Sequence, residues 1–495
     1  MELLRTKPVE QIIDDAEVEE HRLRRDLSAV DLTVLGVGVT IGTGIFVLTG
    51  VAAATKAGPA IALSFVVAAV ACGLAALCYA ELASAVPVAG SAYTFSYATL
   101  GELFAWIIGW DLLLELALGA AAVAKGWSKY LVEVLPFTLP PQIAGDSPKF
   151  DVPAALVVAA LTVVAIVGVK LSARFNAVLV AIKLAVVLLF IGVGAFAVKA
   201  SNWSPFIPPP AKAPKAVTAV DTGTPLIQLL LGLKPLDYGV LGIGFGAAIV
   251  FFAFIGFDVV ATNAEEVRRP QRDMPIGILG SLAICTVLYV AVSLVVTGLL
   301  RYTQLNDAAP MAKALKANGL NLAAGLVSLG ALAGLTTVIL VLLMGQARIL
   351  FAMSRDRLLP EGLARVHPSF RTPWLISLLV GVVVTLITAL VDLETLADLV
   401  NIGTLFAFVL VSIGVVVLRR TRPDLQRSFR TPAVPLVPAL SVLACLFLML
   451  NLGTHTWIRF LVWMAIGLVV YALYGSRRSR LSSRQPATAG RRDGS

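Results

Sequence analysis

Charge is scarce in this chain. Asp, Glu, Lys and Arg make up 14% of its 495 residues, against roughly 25% in water-soluble domains, which excludes a surface built for water. Reactive and metal-binding side chains are few as well, with three histidines and four cysteines. Cys72, Cys78, Cys285 and Cys445 all lie inside apolar stretches, so no loop pair suggests a disulfide and no Cys/His spacing resembles a metal site. His21, His367 and His455 fall in loops or at the ends of such stretches, which leaves no histidine proton relay. HExxH, a nucleophile elbow and paired histidines are all missing, which argues against a membrane-embedded enzyme. Neither a metal nor a cofactor is expected. Rings of charge repeated by symmetry, as a channel would need, are not evident either.

What the chain has is apolar length. Hydrophobic residues make up 58%, and the mean hydropathy is +0.89. They come in blocks of about 20 residues, the length that crosses a bilayer. Such blocks lie near 31–55, 60–84, 103–132, 152–169, 174–198, 241–262, 276–300, 322–350, 374–391, 396–418, 436–454 and 457–474. The reading is an all-α polytopic membrane protein of about twelve transmembrane helices. Residues 1–30 are charged and polar, unlike a secretory signal, and read as a cytoplasmic arm. Residues 476–495 read as a disordered basic cytoplasmic tail. The formal charge of +9 sits mostly in arginine clusters at 22–25, 268–272, 419–422 and 477–480. That is the positive-inside bias of a membrane protein with cytoplasmic termini, not a nucleic-acid footprint. A bacterial-type inner membrane is the expected location. The longest connection, 199–240, carries Pro-Pro-Pro at 208–210 and reads as irregular, with a short interfacial piece at 226–233.

Two spans differ from the rest. Span 1 reads GVGVTIGTGIF from Gly36, and span 6 reads IVFFAFIGFDVV with Gly256 beside Asp258. Each such glycine weakens a helix by roughly 1 kcal/mol relative to alanine. Close packing is one use of membrane-helix glycine. Their spacing, five spans apart, instead suggests a pair of broken helices in inverted repeats.

The stretches GVGVTIGTGIFVLTG (36–50), CYAELASAVPVAGSAYTFSYATLGELFAWIIGWDLLLE (78–115) and FFAFIGFDVVATNAEEVRRPQRDMPIGI (251–278) resemble the amino acid–polyamine–organocation permeases. NIGTLFAFVLVSIGVVVLRRTRPDLQRSFRTP (401–432) is most similar to their cationic amino acid transporter branch. The resemblance covers roughly residues 20–475 and implies the five-plus-five inverted-repeat, leucine-transporter-type fold with broken helices 1 and 6. Repeat one would span about 31–199 and repeat two about 241–419. Two extra helices over 436–474 would complete a transporter domain at 31–475. Arg269 and the long 199–240 connection depart from the family pattern.

The resemblance implies proton-coupled uptake of a cationic amino acid (arginine, lysine or ornithine) by alternating access. The alternative is a permease or exchanger for small neutral amino acids such as alanine. An amino acid carries two charges that are very costly to bury unpaired. At the span 1 break, the amides of Gly42, Thr43 and Gly44 would hold the carboxylate at a helix N-terminus, with Ile45 a further expected substrate-binding residue. By resemblance, the carbonyls of Thr40, Phe252, Ala253 and Ile255 would take the ammonium, and the Phe252 ring would cover the substrate. Glu115 aligns with the acid of cation-transporting relatives and would select the side chain, or else form a structural hydrogen bond. Leu342 aligns with a pocket-lining position. Lys183 lies about 13 Å along a helix from Arg174, too deep for easy snorkelling. It matches the lysine of proton-coupled members, and its proton exchange would hold and release the break near Gly42. A permanent ion pair with Asp258 or Glu115 is the alternative, and Thr337 is a candidate partner. Asp111, Asp258 and Glu81 read as gating or structural acids. The expected partners are thus an amino acid, protons and the lipid bilayer. The residues are silent on a small membrane subunit.

Overall fold

The computed structural model describes residues 26–86, 91–137, 139–144, 148–168, 173–211, 223–233, 236–307, 309–370 and 372–479. The arm expected over 1–30 and the tail expected over 476–495 lie almost wholly outside these residues.

Every apolar block becomes helix. Ser28 starts the first: its hydroxyl accepts the Asp31 amide while the Asp31 carboxylate accepts the Ser28 amide at 2.9 Å. Two of the orphan amides of the first turn are satisfied reciprocally in this way. Span 1 runs as Ala29–Thr40, is interrupted at 41–42 and resumes over 44–57. Spans 2 to 5 are Ile61–Ala85, Glu102–Val134, Val152–Val167 and Ala173–Ala195. Span 6 starts as Gly239–Val250, tightens over Phe251–Phe254, breaks at 255–257 and resumes as Asp258–Glu266. Spans 7 to 12 are Pro270–Leu299, Asn321–Arg355, Trp374–Leu390, Leu393–Thr421, Leu436–Leu450 and Thr454–Val470. Among the described residues, eight helical segments are long and apolar enough to cross a membrane, and four shorter apolar helices complete the set. Extended pairing there is limited to isolated bridges. The protein is an all-α polytopic membrane protein. Its outward side chains, such as Val70, Leu156, Val163, Val287, Leu322 and Leu461, are apolar and exposed, as a lipid-facing surface requires.

The order of elements repeats. A short helix follows the second span of each repeat, Ser91–Thr99 in one and Pro310–Lys316 in the other. Span 2 packs along span 7, span 3 along span 8 and span 4 along span 9, so corresponding helices meet in pairs. Spans 1 and 6 meet at their interruptions.

The described parts of the 199–240 connection, residues 199–211, 223–233 and 236–240, form a strap over one end of this bundle. Ala211 pairs with Asp237, and Asp237 takes the Lys56 ammonium at 2.8 Å. The Tyr238 hydroxyl donates to the Ala54 carbonyl. Pro208 packs on Gly58, whose φ of 61° and lack of a side chain let span 1 end there. Farther along, helix Leu226–Leu230 docks its first amide on the Leu452 carbonyl in the turn between spans 11 and 12. The strap therefore ties the end of span 1 to the last two helices.

Candidate substrate site at the two helix breaks

The first half of span 1 stops because Ile41 adopts an extended conformation (ψ 93°) after a glycine-rich run. The helix resumes with a bond from the Phe46 amide to the Gly42 carbonyl. That start leaves the Thr43, Gly44 and Ile45 amides without intrahelical acceptors. In span 6 the chain is extended at Ile255 and turns at Gly256, where φ is 123°. This is backbone that an L side chain rarely adopts. Asp258, the first residue of the second half of span 6, closes the second break by accepting the Gly256 amide at 3.2 Å.

The two breaks touch through backbone. A methyl group on Gly44 would sit 2.3 Å from Ala253 Cα, whereas one on Gly42 would make only ordinary van der Waals contact, the nearest atom being Val338 Cγ1 at 3.9 Å. The two glycines therefore do different work: Gly44 permits the crossing, and Gly42 keeps backbone open to the cavity.

That cavity is small, about 20 Å³ in volume, room for roughly one water molecule. It is walled by Thr40, Gly42, Thr43 and Gly44 of span 1, Glu115 of span 3, Phe252 and Ile255 of span 6, and Leu342 of span 8. Its other lining residues are Val39, Leu116, Gly119, Val123 and Val338. Of the residues expected here, Ile45 and Ala253 are displaced: Ile45 is fully buried behind the lining. Ala253 presents its Cα to Gly44 rather than to the cavity, because the breaks cross in contact. Gly119 and Val123 follow Glu115 at successive turns of one helix face, and Val338 precedes Leu342 by one turn. That periodicity was available in the sequence.

The polar groups are unequally provided for. The Thr40 carbonyl already accepts the Tyr289 hydroxyl at 2.7 Å and the Phe252 carbonyl the Ile255 amide at 3.3 Å, so two of the expected ammonium acceptors are partly engaged. Nothing local to Tyr289 signals this contact. The Thr40 hydroxyl has no partner among the described residues. Glu115 is 1% exposed, and neither of its oxygens has a hydrogen-bond partner among the described residues. Its polar neighbours are Asp111, Asp258 and the Thr404 hydroxyl, which donates to the Val400 carbonyl at 3.0 Å. Asp111 is fully buried, is likewise without a hydrogen bond, and lies against Gly403. Asp111 and Glu115 thus put four carboxyl oxygens between spans 3 and 10.

Lys183 is buried in span 5 and donates to the Gly38 carbonyl at 2.5 Å. The expected contact was the break near Gly42. The acceptor instead lies just before the break, because Gly38 lets Val180 of span 5 pack directly on span 1. Among the described residues no carboxylate pairs with Lys183, so the expected alternatives with Asp258 and Glu115 are not formed. Thr337 donates to its own helix at the Gly334 carbonyl, 2.7 Å away, rather than to Lys183. A cation at the end of a half-helix complements its free carbonyls and dipole.

Glu81 lies away from the cavity. Arg419 grips its carboxylate through two nitrogens (2.9 and 2.7 Å), the Thr431 amide adds a third bond at 2.7 Å, and Arg427 approaches to 3.4 Å. The group ties span 2 to the end of span 10 and the loop beyond it. Removing one partner of a buried ion pair costs about 3 kcal/mol. Glu81→Ala is expected to lower the thermal unfolding midpoint while leaving the substrate dissociation constant within about twofold. A variant whose affinity falls with its midpoint unchanged would place Glu81 in the site.

Two interrupted helices crossing inside a bundle, with a small enclosed cavity at the crossing, define a helical membrane permease. The chain belongs to the amino acid permease family of the amino acid–polyamine–organocation superfamily, whose profile, described as "Amino acid permease", matches residues 27–473. It is 48% identical over 491 residues to the branched-chain amino acid permease BcaP of Bacillus subtilis, covering 97% of this chain and 99% of that protein. It is 46% identical over 488 residues to the methylthioribose transporter of the same organism, with the same coverage of both chains. To the vacuolar cationic amino acid transporter 4 of Arabidopsis thaliana it is 37% identical over 429 residues, or 85% of this chain and 68% of that one.

Proposed function

We propose that this amino acid permease carries neutral amino acids with small or branched apolar side chains, by alternating access coupled to a proton through Lys183. The observation that carries the reading is the wall opposite the breaks. Leu116, Gly119, Val123, Val338 and Leu342 make its apolar part, beside which Glu115 is the one acid, and that part favours an aliphatic group by desolvation. The substrate carboxylate would meet the Thr43 and Gly44 amides, and the ammonium the Thr40 hydroxyl oxygen and the Ile255 carbonyl, with the Thr40 and Phe252 carbonyls offering their second lone pairs. Two of the relatives reported above bear the names of a branched-chain amino acid permease and a methylthioribose transporter, both for solutes without a cationic side chain. Both termini would face the cytoplasm, and the Lys183 ammonium would hold the first half of span 1 against span 5 until its proton leaves.

A second reading rests on Glu115. A buried carboxyl without a partner needs either its own proton or a cation, and a lysine, ornithine or arginine side chain would supply one. Ligand-dependent thermal stabilisation of the purified protein separates the two readings, with wild type and Glu115→Gln each tested against all the common amino acids. A ligand at about 100 times its Kd stabilises by about 2.7 kcal/mol. The expected result is stabilisation by alanine, valine, isoleucine or leucine that persists in Glu115→Gln. Stabilisation by lysine or arginine that vanishes in the variant would overturn the neutral reading and make Glu115 the selector of a cationic side chain.

A further inference from the structure

Spans 5 and 10 are the fifth helices of their repeats, and each sends one donor to the helix that is broken in its own repeat. Lys183 donates to the Gly38 carbonyl, two residues before Thr40 ends the first half of span 1. Asn401 donates through Nδ2 to the Ala248 carbonyl at 2.8 Å, two residues before Val250 ends the first helical part of span 6. A longer contact of 3.4 Å reaches the Ile249 carbonyl. In both cases the acceptor belongs to the last turn, where carbonyls lose their intrahelical donors. The two contacts thus occupy corresponding places in the two repeats.

They differ in chemistry. The Lys183 ammonium can lose its proton and with it the charge that complements the half-helix. The Asn401 amide donates at any pH at which the protein exists. Asn401 is fully buried, and its Oδ1 has no partner among the described residues, so its one function visible in the structure is as a donor. The neighbouring Gly403 and Thr404 lie against Asp111 and Glu115, so the same stretch of span 10 touches both the end of the first helical part of span 6 and the acids of span 3.

We propose that Asn401 is a positioning residue for transport, the permanent counterpart of Lys183. It keeps the first part of span 6 attached to span 10 throughout the cycle, so that proton-dependent release acts on span 1 alone. The inference rests on the reading of Lys183 given above.

Asn401→Asp tests it by giving the second clamp the property of the first. A protonated aspartic acid donates to the Ala248 carbonyl, and an ionised one cannot. Among the described residues, the titratable and charged groups around span 10 include Asp111 and Glu115 on span 3, Asp258 beyond the span 6 break, Glu81 and Cys78 on span 2, Cys445 on span 11, Lys56 and His455 beside Asp398, and Glu394, Asp398 and Arg419 on span 10 itself. All are shared with the wild type, and comparison with it cancels them. Substrate counterflow in proteoliposomes between about pH 5 and about pH 8 is expected to fall at least tenfold more steeply in Asn401→Asp than in wild type. Unfolding midpoints at each pH exclude loss of protein. Asn401→Ser, which keeps a hydroxyl donor, should follow the wild-type pH profile and exceed Asn401→Ala in rate by roughly tenfold. If the aspartate variant cannot be purified, the serine–alanine comparison decides. Wild-type pH dependence in Asn401→Asp, or equal rates for serine and alanine, would overturn the proposal. Proton-driven uptake that survives in Lys183→Met would instead defeat the coupling reading, and it leaves the counterflow result to be read on its own.

Discussion

Replacing Gly44 by alanine is expected to abolish transport and to lower the unfolding midpoint, whereas the same change at Gly42 should leave the fold intact. The added methyl at 44 would stand 2.3 Å from Ala253 Cα and 2.7 Å from its amide nitrogen. These are backbone atoms, so no rotamer change relieves the overlap, and the two breaks must move apart. Overpacking of this kind costs about 3 kcal/mol, and the displaced amides would no longer face a shared substrate. An uptake rate on the order of 100-fold below wild type is expected in proteoliposomes. Ala253→Gly should not rescue it, since the Cα remains. At Gly42 the nearest atom to a new methyl is 3.9 Å away, but the methyl would occupy the cavity. Affinity there should fall roughly tenfold, about 1.4 kcal/mol, with an unchanged midpoint. A Gly44→Ala protein with wild-type midpoint and uptake would show that the breaks do not need their present contact.

The second large effect is expected at Lys183. Lys183→Met keeps much of the buried stem, which packs on Gly334, and removes the donor to the Gly38 carbonyl. One proton crossing with a neutral substrate is worth about 2.3 kcal/mol per 100 mV, enough for roughly fifty-fold accumulation. In the methionine variant this concentrative uptake should vanish, while exchange of internal for external substrate continues. Paired measurements of counterflow and of uptake driven by an imposed membrane potential check this. If potential-driven accumulation persists in the variant, the proton travels elsewhere, and Asp111 and Glu115, without hydrogen-bond partners among the described residues, become the groups to replace next.

Much of this architecture is legible without coordinates because a bilayer imposes simple rules. About 20 apolar residues per span and satisfied backbone groups leave helix as the available state for a chain of this composition. The breaks are visible too: Gly36, Gly38, Gly42 and Gly44 in one span and Gly256 beside Asp258 in another mark where helix is weakest. The site is legible only in part. Thr40, Gly42, Thr43, Gly44, Glu115, Phe252, Ile255 and Leu342 do line one cavity. Glycine by itself, however, does not tell ligand approach from helix crossing, and Gly42 and Gly44 divide these tasks.

The sequence by itself determined which residues are helical, where two helices must fail and which charges lie buried at depth, since each follows from local composition and length. Only the tertiary structure decided the partners. Gly44 meets Ala253, Lys183 meets Gly38, Tyr289 meets Thr40 and Asn401 meets Ala248, each across a long stretch of chain. Such contacts depend on how closely helices approach and at what rotation. Those are set by the sum of many packed side chains, and no short motif encodes that sum.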